Sequence, residues 1–382
     1  MSDLVVVGGG IVGSACAYYA ARAGLSVTVL DRGTPGAGTT SRGEGNVLVS
    51  DKGAGAELAL ALASRQLWLD VAAEHGAAGL ELEEKGGLVV ALTGPGLGPL
   101  SAFADGQRGA GVVAEPVAAD RMADHEPHLS TDLPGGMLYP QDLQVQPVLA
   151  AARLLAEARR LGARVRTGEE VTGAAHGRGG RVVAVRTDRA TYDCGVVVNA
   201  AGTWGGTVGE RLGGPVPIRP RRGFILVTEP LPRVVRHKVY SADYVDNVAS
   251  DDAGLETSAV VEGTRGGTLL IGASRERVGF DDTLSVEALT LLARQAIRLF
   301  PFLRDVRLLR AYGGFRPYCP DHLPVIGPDP RVPGLLHACG HEGAGIGLAP
   351  ATGRLVADLV TGSVPLLDPT PFDPARLVPV PA

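Results

Sequence analysis

Close to the start of the chain an apolar run ends on Gly8-Gly9-Gly10-Ile11-Val12-Gly13, and few folds accommodate that arrangement. The run itself, Leu4-Val5-Val6-Val7, has the length and composition of a parallel strand buried on both faces. Ile11 to Ala23 is small, apolar and helical in character, and Gly24 stops it. Ser26 to Leu30 reads as a second buried strand, ending at Asp31. Strand, tight turn, helix, strand and acid in this order make one βαβ unit. The glycines fit G-x-G-x-x-G: Gly8 permits the turn, Gly10 lets backbone approach a pyrophosphate, and Gly13 lets helix and strand pack closely. The helix start at Ile11 and Val12 offers free N–H groups and a positive dipole end to phosphates. Asp31 stands 18 residues beyond Gly13, the spacing of an acid that binds a ribose hydroxyl. A glycine pattern alone is weak in a chain with 54 glycines, but strand, helix and acid in register point to a bound dinucleotide. Arg32, also at this end of the site, could take the 2′-phosphate of NADP, but the preceding Asp31 would repel that phosphate. An exposed arginine is the plainer alternative.

With 382 residues the chain suits two intimately connected domains. The net charge of −5, with no long basic run, excludes nucleic acid and anionic membrane as expected partners. Cys16, Cys194, Cys319 and Cys339 form no CxxC pair and no zinc spacing, so a reducing compartment and no metal are expected. Lysine occurs only at Lys52, Lys85 and Lys238. The N-terminus lacks a charged n-region and no run of about 20 apolar residues exists, so the chain is expected to be cytoplasmic, with no membrane span.

Gly33 to Gly55 is rich in Gly, Ser and Thr and reads as a segment that wraps something rather than a regular element. Helices are expected over Glu57–His75, Gln146–Leu161, Val286–Phe300 and Gly347–Leu359, and strands at Gly86–Leu92, Arg164–Arg166, Val182–Thr187, Val196–Gly202 and Gly334–Ala338. From 216 to 275 the pattern is one of alternating strands, notably Gly223–Thr228 and Leu269–Gly272.

Five segments together carry a family resemblance: the N-terminal unit, Thr39-Thr40-Ser41-Arg42-Gly43-Glu44-Gly45-Asn46, Val198-Asn199-Ala200-Ala201-Gly202-Thr203-Trp204, Gly314-Phe315-Arg316-Pro317 with Asp321 and Pro324-Val325-Ile326-Gly327, and Gly340-His341-Glu342-Gly343-Ala344-Gly345-Ile346-Gly347-Leu348-Ala349-Pro350. In this order they resemble the D-amino acid oxidase/glycine oxidase family of flavoproteins over essentially the whole chain. Ser41–Asn46 and Gly340–Gly343 are most similar to the flavin subunits of D-hydroxyproline dehydrogenase, opine oxidase and hydrogen cyanide synthase.

The resemblance implies an α/β fold of glycine oxidase type: a Rossmann-like FAD-binding domain (1–50, 140–215 and 320–382) with an inserted antiparallel β-sheet substrate domain (51–139 and 216–319). It implies that Thr39, Thr40, Ser41, Gly45 and Asn46 run along the pyrophosphate and flavin edge. Val171 would bracket the adenine, and Ala200, Ala201, Gly202 and Trp204 would pass the ADP moiety. Gly343, Ala344, Gly345, Ile346 and Gly347 would present N–H groups to the flavin N1/O2 region. That last role has a physical reason of its own, because a helix N-terminus stabilises the negative charge a reduced flavin carries there. A flexible turn before a helix is the alternative reading of those glycines.

In such enzymes a hydride passes from the substrate Cα to flavin N5, so no Ser/His/Asp set or metal cage is needed. Arg316 matches the family arginine that grips the substrate carboxylate, a task that suits the planar guanidinium fork. A structural salt bridge is the alternative. Tyr240 and Tyr244 are candidates for a second carboxylate donor or a lid, against a plain core role. His341 would touch the flavin or the substrate amine, and Glu342 would attract an ammonium group. The alternatives are a capped helix entrance and a solvated acid. Ser274 and Arg275 are weaker candidates. Some family members attach flavin through a cysteine, but alignment on Asp321 puts that position at Gly314 rather than Cys319, so noncovalent FAD is expected. The expected activity is oxidation of a small amino or imino acid (a D-amino acid, hydroxyproline or glycine type) to the imine, as a dehydrogenase subunit with partner electron-transfer subunits. The chain has no iron–sulfur cysteine spacing of its own. Two other readings stay open: a stand-alone oxidase producing hydrogen peroxide, and a noncatalytic FAD-binding assembly subunit.

Overall fold

A computed structural model describes residues 1–248 and 250–378, so the last four positions of the expected 320–382 segment lie outside the described residues. The N-terminal strand Ser2–Val7 is buried from Leu4 onward and pairs in parallel with Val27–Asp31 on one side and Thr191–Asn199 on the other. Arg164–Thr167 extends this sheet beyond Val27–Asp31, and Leu335–Cys339 followed by Val325–Pro328 extends it the other way. Strands buried on both faces need helices on both sides of them. The helix Ile11–Arg22 packs between Pro147–Arg160 and the final helix Gly345–Thr361.

A second eight-stranded sheet runs in the order Leu308–Tyr318, Arg219–Thr228, Leu269–Arg275, Glu256–Gly263, Lys238–Ser241, Gly87–Val90, Gly135–Tyr139 and Glu115–Ala118. It is antiparallel, as expected, except where Lys238–Ser241 and Gly87–Val90 pair in parallel. This is the one departure from the expected sheet type. The chain enters this sheet twice, once on either side of Thr191–Asn199, and these two strands meet from different passes. The helix Val286–Leu299 covers the outer face of the sheet, and the Ser285 hydroxyl caps it by accepting from Ala288 N at 3.2 Å.

Two local readings change. Residues Asp243–Val248, expected within a stretch of alternating strands, form a short helix. The helix Ala56–His75, which the expected boundaries assign to the substrate part, packs on Gly345–Thr361 in the main core. We therefore propose that the first boundary falls after this helix. Its role there is specific. Pro350 lies inside the last helix and has no N–H to give to the Ile346 carbonyl. Trp68 Nε1 donates to that carbonyl instead, at 3.1 Å. One residue on, the Ser64 hydroxyl bridges the gap, donating to Gly347 O at 2.6 Å and accepting from Ala351 N at 3.2 Å. The start of the last helix is thus held from outside, at the end that faces the site.

Candidate active site

A cavity of about 490 Å³ opens between the ends of the parallel strands and the inner face of the large sheet. Gly8, Gly10, Ile11, Val12, Asp31, Arg32, Thr39, Thr40, Asn46, Val171, Ala200, Ala201, Gly202, Trp204, Gly343, Gly345 and Ile346 line it, and so do Tyr244, Arg316 and His341. Segments separated by three hundred residues therefore meet around one space. Gly13, Ser41, Gly45, Ala344, Gly347 and Tyr240 do not line it.

The glycine turn is built for close approach. Gly8 has φ +105°, and a Cβ there would lie 2.5 Å from the Ala200 carbonyl oxygen. A Cβ on Gly13 would lie 1.8 Å from Gly8 O, so Gly13 acts through packing. Asp31 accepts from Gly9 N at 2.7 Å and from Gly33 N at 2.8 Å, which sets both loops at the mouth of the turn. Thr40 Oγ1 accepts from Ile11 N at 3.0 Å and ties the wrapping segment to the first helix. Ser41 turns away, donating to Ala37 O at 3.0 Å within its own short turn. A Cβ on Gly45 would meet Val145 O at 1.9 Å, a packing role again. The Val171 carbonyl accepts from Arg211 Nη1 at 2.7 Å. Arg32 stands 4.0 Å above the Trp204 ring, a cation–π pair at the rim.

Thr39 and Thr203 hydroxyls both donate to Phe315 O at 2.8 Å. They couple the wrapping segment to the strand Leu308–Tyr318, which carries Arg316. The Arg316 guanidinium spends one N–H on Ser274 O, at 2.7 Å. It lies against Gly343, where a Cβ would lie 3.6 Å from Nε. Burial pulls its pKa down, and Arg221 adds to that, while Tyr244, Glu44 and Glu342 act the other way. A guanidinium held by one backbone carbonyl keeps donors for a planar anion. The helix Gly345–Thr361 begins beside it with no acidic residue in its first turn and no side-chain cap. Its positive end therefore stays open to the cavity.

The Rossmann turn, the wrapping segment, the open helix start and the facing guanidinium fit an FAD lying along the cavity. The family profile "FAD dependent oxidoreductase" matches residues 3–359. The chain belongs to this DAO family. Hydrogen cyanide synthase subunit HcnC of Pseudomonas aeruginosa is 31% identical, over 100% of this chain and 97% of that protein. Glycine oxidase of Geobacillus kaustophilus is 29% identical over 98% and 97%. The crystal structure of the Geobacillus kaustophilus glycine oxidase superposes with a TM-score of 0.89 at 28% identity, covering 99% of both chains. The fold class, the family and the FAD dependence expected from the sequence are borne out, and the protein is an FAD-dependent oxidoreductase of the DAO family.

Of the expected catalytic side chains, Tyr240 does not reach the cavity. Tyr240 is fully buried and donates to Ser50 Oγ at 2.6 Å, and Ser50 in turn donates to Asp142. It serves the core because its strand position faces away from the cavity. Tyr244 lines the cavity from the short helix, 5.1 Å from the Tyr240 ring. His341 also lines it, but its Nε2 pairs with Thr352 Oγ1 at 2.9 Å, and burial pushes its pKa down to about 3. It is therefore neutral at physiological pH.

The same shift predicts an acid-stability term. An unfolded histidine binds a proton near pH 6.5, so the contribution is full above that pH and is lost as the pH falls from about 6.5 toward about 3. Between pH 6.5 and 4.5 the wild type should lose about 2 kcal/mol more than His341→Gln. Urea titrations at both pH values check this; equal losses overturn it.

Cys319 is buried, and its thiol donates to Asp321 Oδ1 at 3.1 Å, while Gly314 lines the cavity without any nucleophile. Acid precipitation should therefore release all of the flavin into the supernatant. Yellow colour left on the pellet would show a covalent link.

Sequence reasoning passed over the group beneath the wrapping segment. Lys238, 3% exposed, lies 3.0 Å from Glu44 Oε2 and 3.1 Å from Glu262 Oε2, and also donates to Asn46 Oδ1. Burial opposes its charge, but Glu262 and Glu44 more than offset that, and the net shift is upward. The available signal was rarity: Lys238 is one of only three lysines, set at the start of a short strand.

Proposed function

We propose that the protein oxidises a small amino or imino acid at its CH–NH bond, binding the substrate carboxylate on Arg316. The observation that carries this reading is the Arg316 guanidinium, held by one backbone carbonyl and lining the cavity beside the start of the last helix. Bound FAD supplies the two-electron acceptor. Everything else is positioning by this chain. The Arg316 fork fixes the carboxylate, which fixes the direction of the Cα–H bond. Thr39 and Thr203 hold the strand that carries it through Phe315 O. Glu342, at φ +45°, is pinned by its N–H to Pro317 O at 3.1 Å, next to the arginine strand. Ile225, Ala273 and Tyr244 wall the cavity with apolar surface and exclude water from the reacting carbon.

Similarity to a protein named as a synthase subunit supports the finer reading of a dehydrogenase subunit with electron-transfer partners. Among the described residues no helix is long and apolar enough to cross a membrane, and four buried free cysteines agree with a cytoplasmic setting. The test is to mix the holoenzyme anaerobically with D-amino acids, D-hydroxyproline, proline, sarcosine and glycine and to follow bleaching of the flavin band. At least one should bleach it. If none does, the reading fails. Rapid oxygen consumption with the same substrate would favour a stand-alone oxidase over a partner-dependent dehydrogenase.

A further inference from the structure

The sheet face beneath the cavity holds a second guanidinium that no carboxylate engages. Arg275 ends the strand Leu269–Arg275 and is only 4% exposed. Its neighbour Ser274 gives its carbonyl to Arg316, and the charge of Arg316 acts on Arg275, which is not itself among the residues lining the cavity. Arg275 lies 5.0 Å from the centre of the Tyr244 ring, and Tyr244 lines the cavity. The carboxylates that act on Arg275 are Glu256 and Glu342. Both are engaged elsewhere. Glu256 Oε2 accepts from Arg221 Nη2 at 2.9 Å, and Glu342 lies 3.6 Å from Arg221 Nη1 and 3.0 Å from His322 Nδ1. Arg221, Arg275 and Arg316 thus gather around Glu256 and Glu342, with Glu44 acting on Arg316 as well, and among the described residues Arg275 makes no hydrogen bond or ion pair. A buried charge without a counterion is costly, and one aromatic ring offsets only part of that cost. The Tyr244 ring occupies a face of the guanidinium and leaves its N–H edge for a planar acid.

We propose that Arg275 and Arg316 together select a substrate with two carboxylates, the α-carboxylate on Arg316 and a second acid, borne by the side chain or the amine substituent, on Arg275. This rests on the amino-acid reading above and names the substrate class within it. It also gives Tyr244 a role: the ring that stacks on Arg275 borders the place of the second acid. Like charge sharpens the selection, since a substrate with one carboxylate leaves Arg275 facing Arg316 uncompensated.

Two measurements test this on the holoenzyme. The first is binding without turnover, read as the shift of the flavin absorbance band on titration with glutarate and with butyrate, which differ by one carboxylate. Glutarate should bind about 30-fold more tightly, the worth of one charge-assisted pair. Arg275→Gln should bring the two within threefold, and Arg275→Lys should restore part of the difference. The second is the ratio of kcat/KM for D-glutamate over D-norvaline, and for N-carboxymethylglycine over N-ethylglycine. At least one ratio should exceed tenfold and collapse in Arg275→Gln. Equal binding of glutarate and butyrate by the wild type overturns the proposal, and so does a preference that survives Arg275→Gln. If Arg275→Gln does not fold, the wild-type preference and the Arg275→Lys variant still decide. Tight glutarate binding with no bleaching by any amine would sink the amino-acid reading while leaving the two-carboxylate site standing. Bleaching by amino acids without a glutarate preference would do the reverse.

Discussion

Arg316→Lys should lower kcat/KM for the amino-acid donor by about a hundredfold, with most of the loss in KM. The lysine keeps a positive charge but loses one of two parallel N–H bonds, a charge-assisted bond worth roughly 1.5–3 kcal/mol. It also loses the fixed plane that sets the direction of Cα–H, so kcat should fall by a smaller factor. Arg316→Met should cost more, on the order of a thousandfold, because no charge then meets the substrate carboxylate. FAD content should stay at wild-type level in both variants, because the proposed role of the arginine is toward the substrate. The measurement is steady-state kinetics with flavin content determined in parallel. An unchanged KM in Arg316→Lys would remove the carboxylate role.

The second large effect is structural. Lys238→Met should cost roughly 3–5 kcal/mol, because it leaves the Glu44 and Glu262 carboxylates buried without their cation. Glu262 Oε1 also accepts from Gly45 N at 3.1 Å, and Asn46 Nδ2 donates to Glu44 Oε2 at 2.9 Å, so the loss reaches the wrapping segment directly. Weaker FAD retention on dilution should accompany the lower melting temperature. Adding Glu44→Gln and Glu262→Gln to Lys238→Met should recover part of the loss, since the stranded charges are then gone. A Lys238→Met protein with wild-type melting and flavin retention would show that the cluster is neutral.

Much of the first half of the site was legible in sequence because its signals are local. Gly8 and Gly10 stand in one turn and Gly13 in the helix that follows, Asp31 ends the next strand, and the Gly345–Thr361 helix announces itself by a glycine run before an apolar periodicity. The Arg316 strand was recognisable only through family resemblance, since an arginine in a strand has no local mark of function. The two tyrosines show the limit. Tyr240 and Tyr244 lie four residues apart, yet one faces the core from a strand and the other faces the cavity from a helix turn. Their local sequence does not distinguish them, because the surfaces they meet come from elsewhere in the chain. Tyr240 meets Ser50, and Tyr244 meets Arg275.

The chain by itself therefore determined the close-approach turn at Gly8–Gly13 and its partner Asp31, because a tight turn, a close helix crossing and an acid at fixed spacing are short-range properties of the backbone. Tertiary structure alone decided what stands at the far end of that cavity. Lys238 finds Glu44 across 194 positions of sequence, Thr39 and Thr203 converge on Phe315 O, and Arg275 comes to lie beside Arg316 without an anion of its own. Those relations depend on the register of strands that enter one sheet from separate passes of the chain, and no local pattern encodes them.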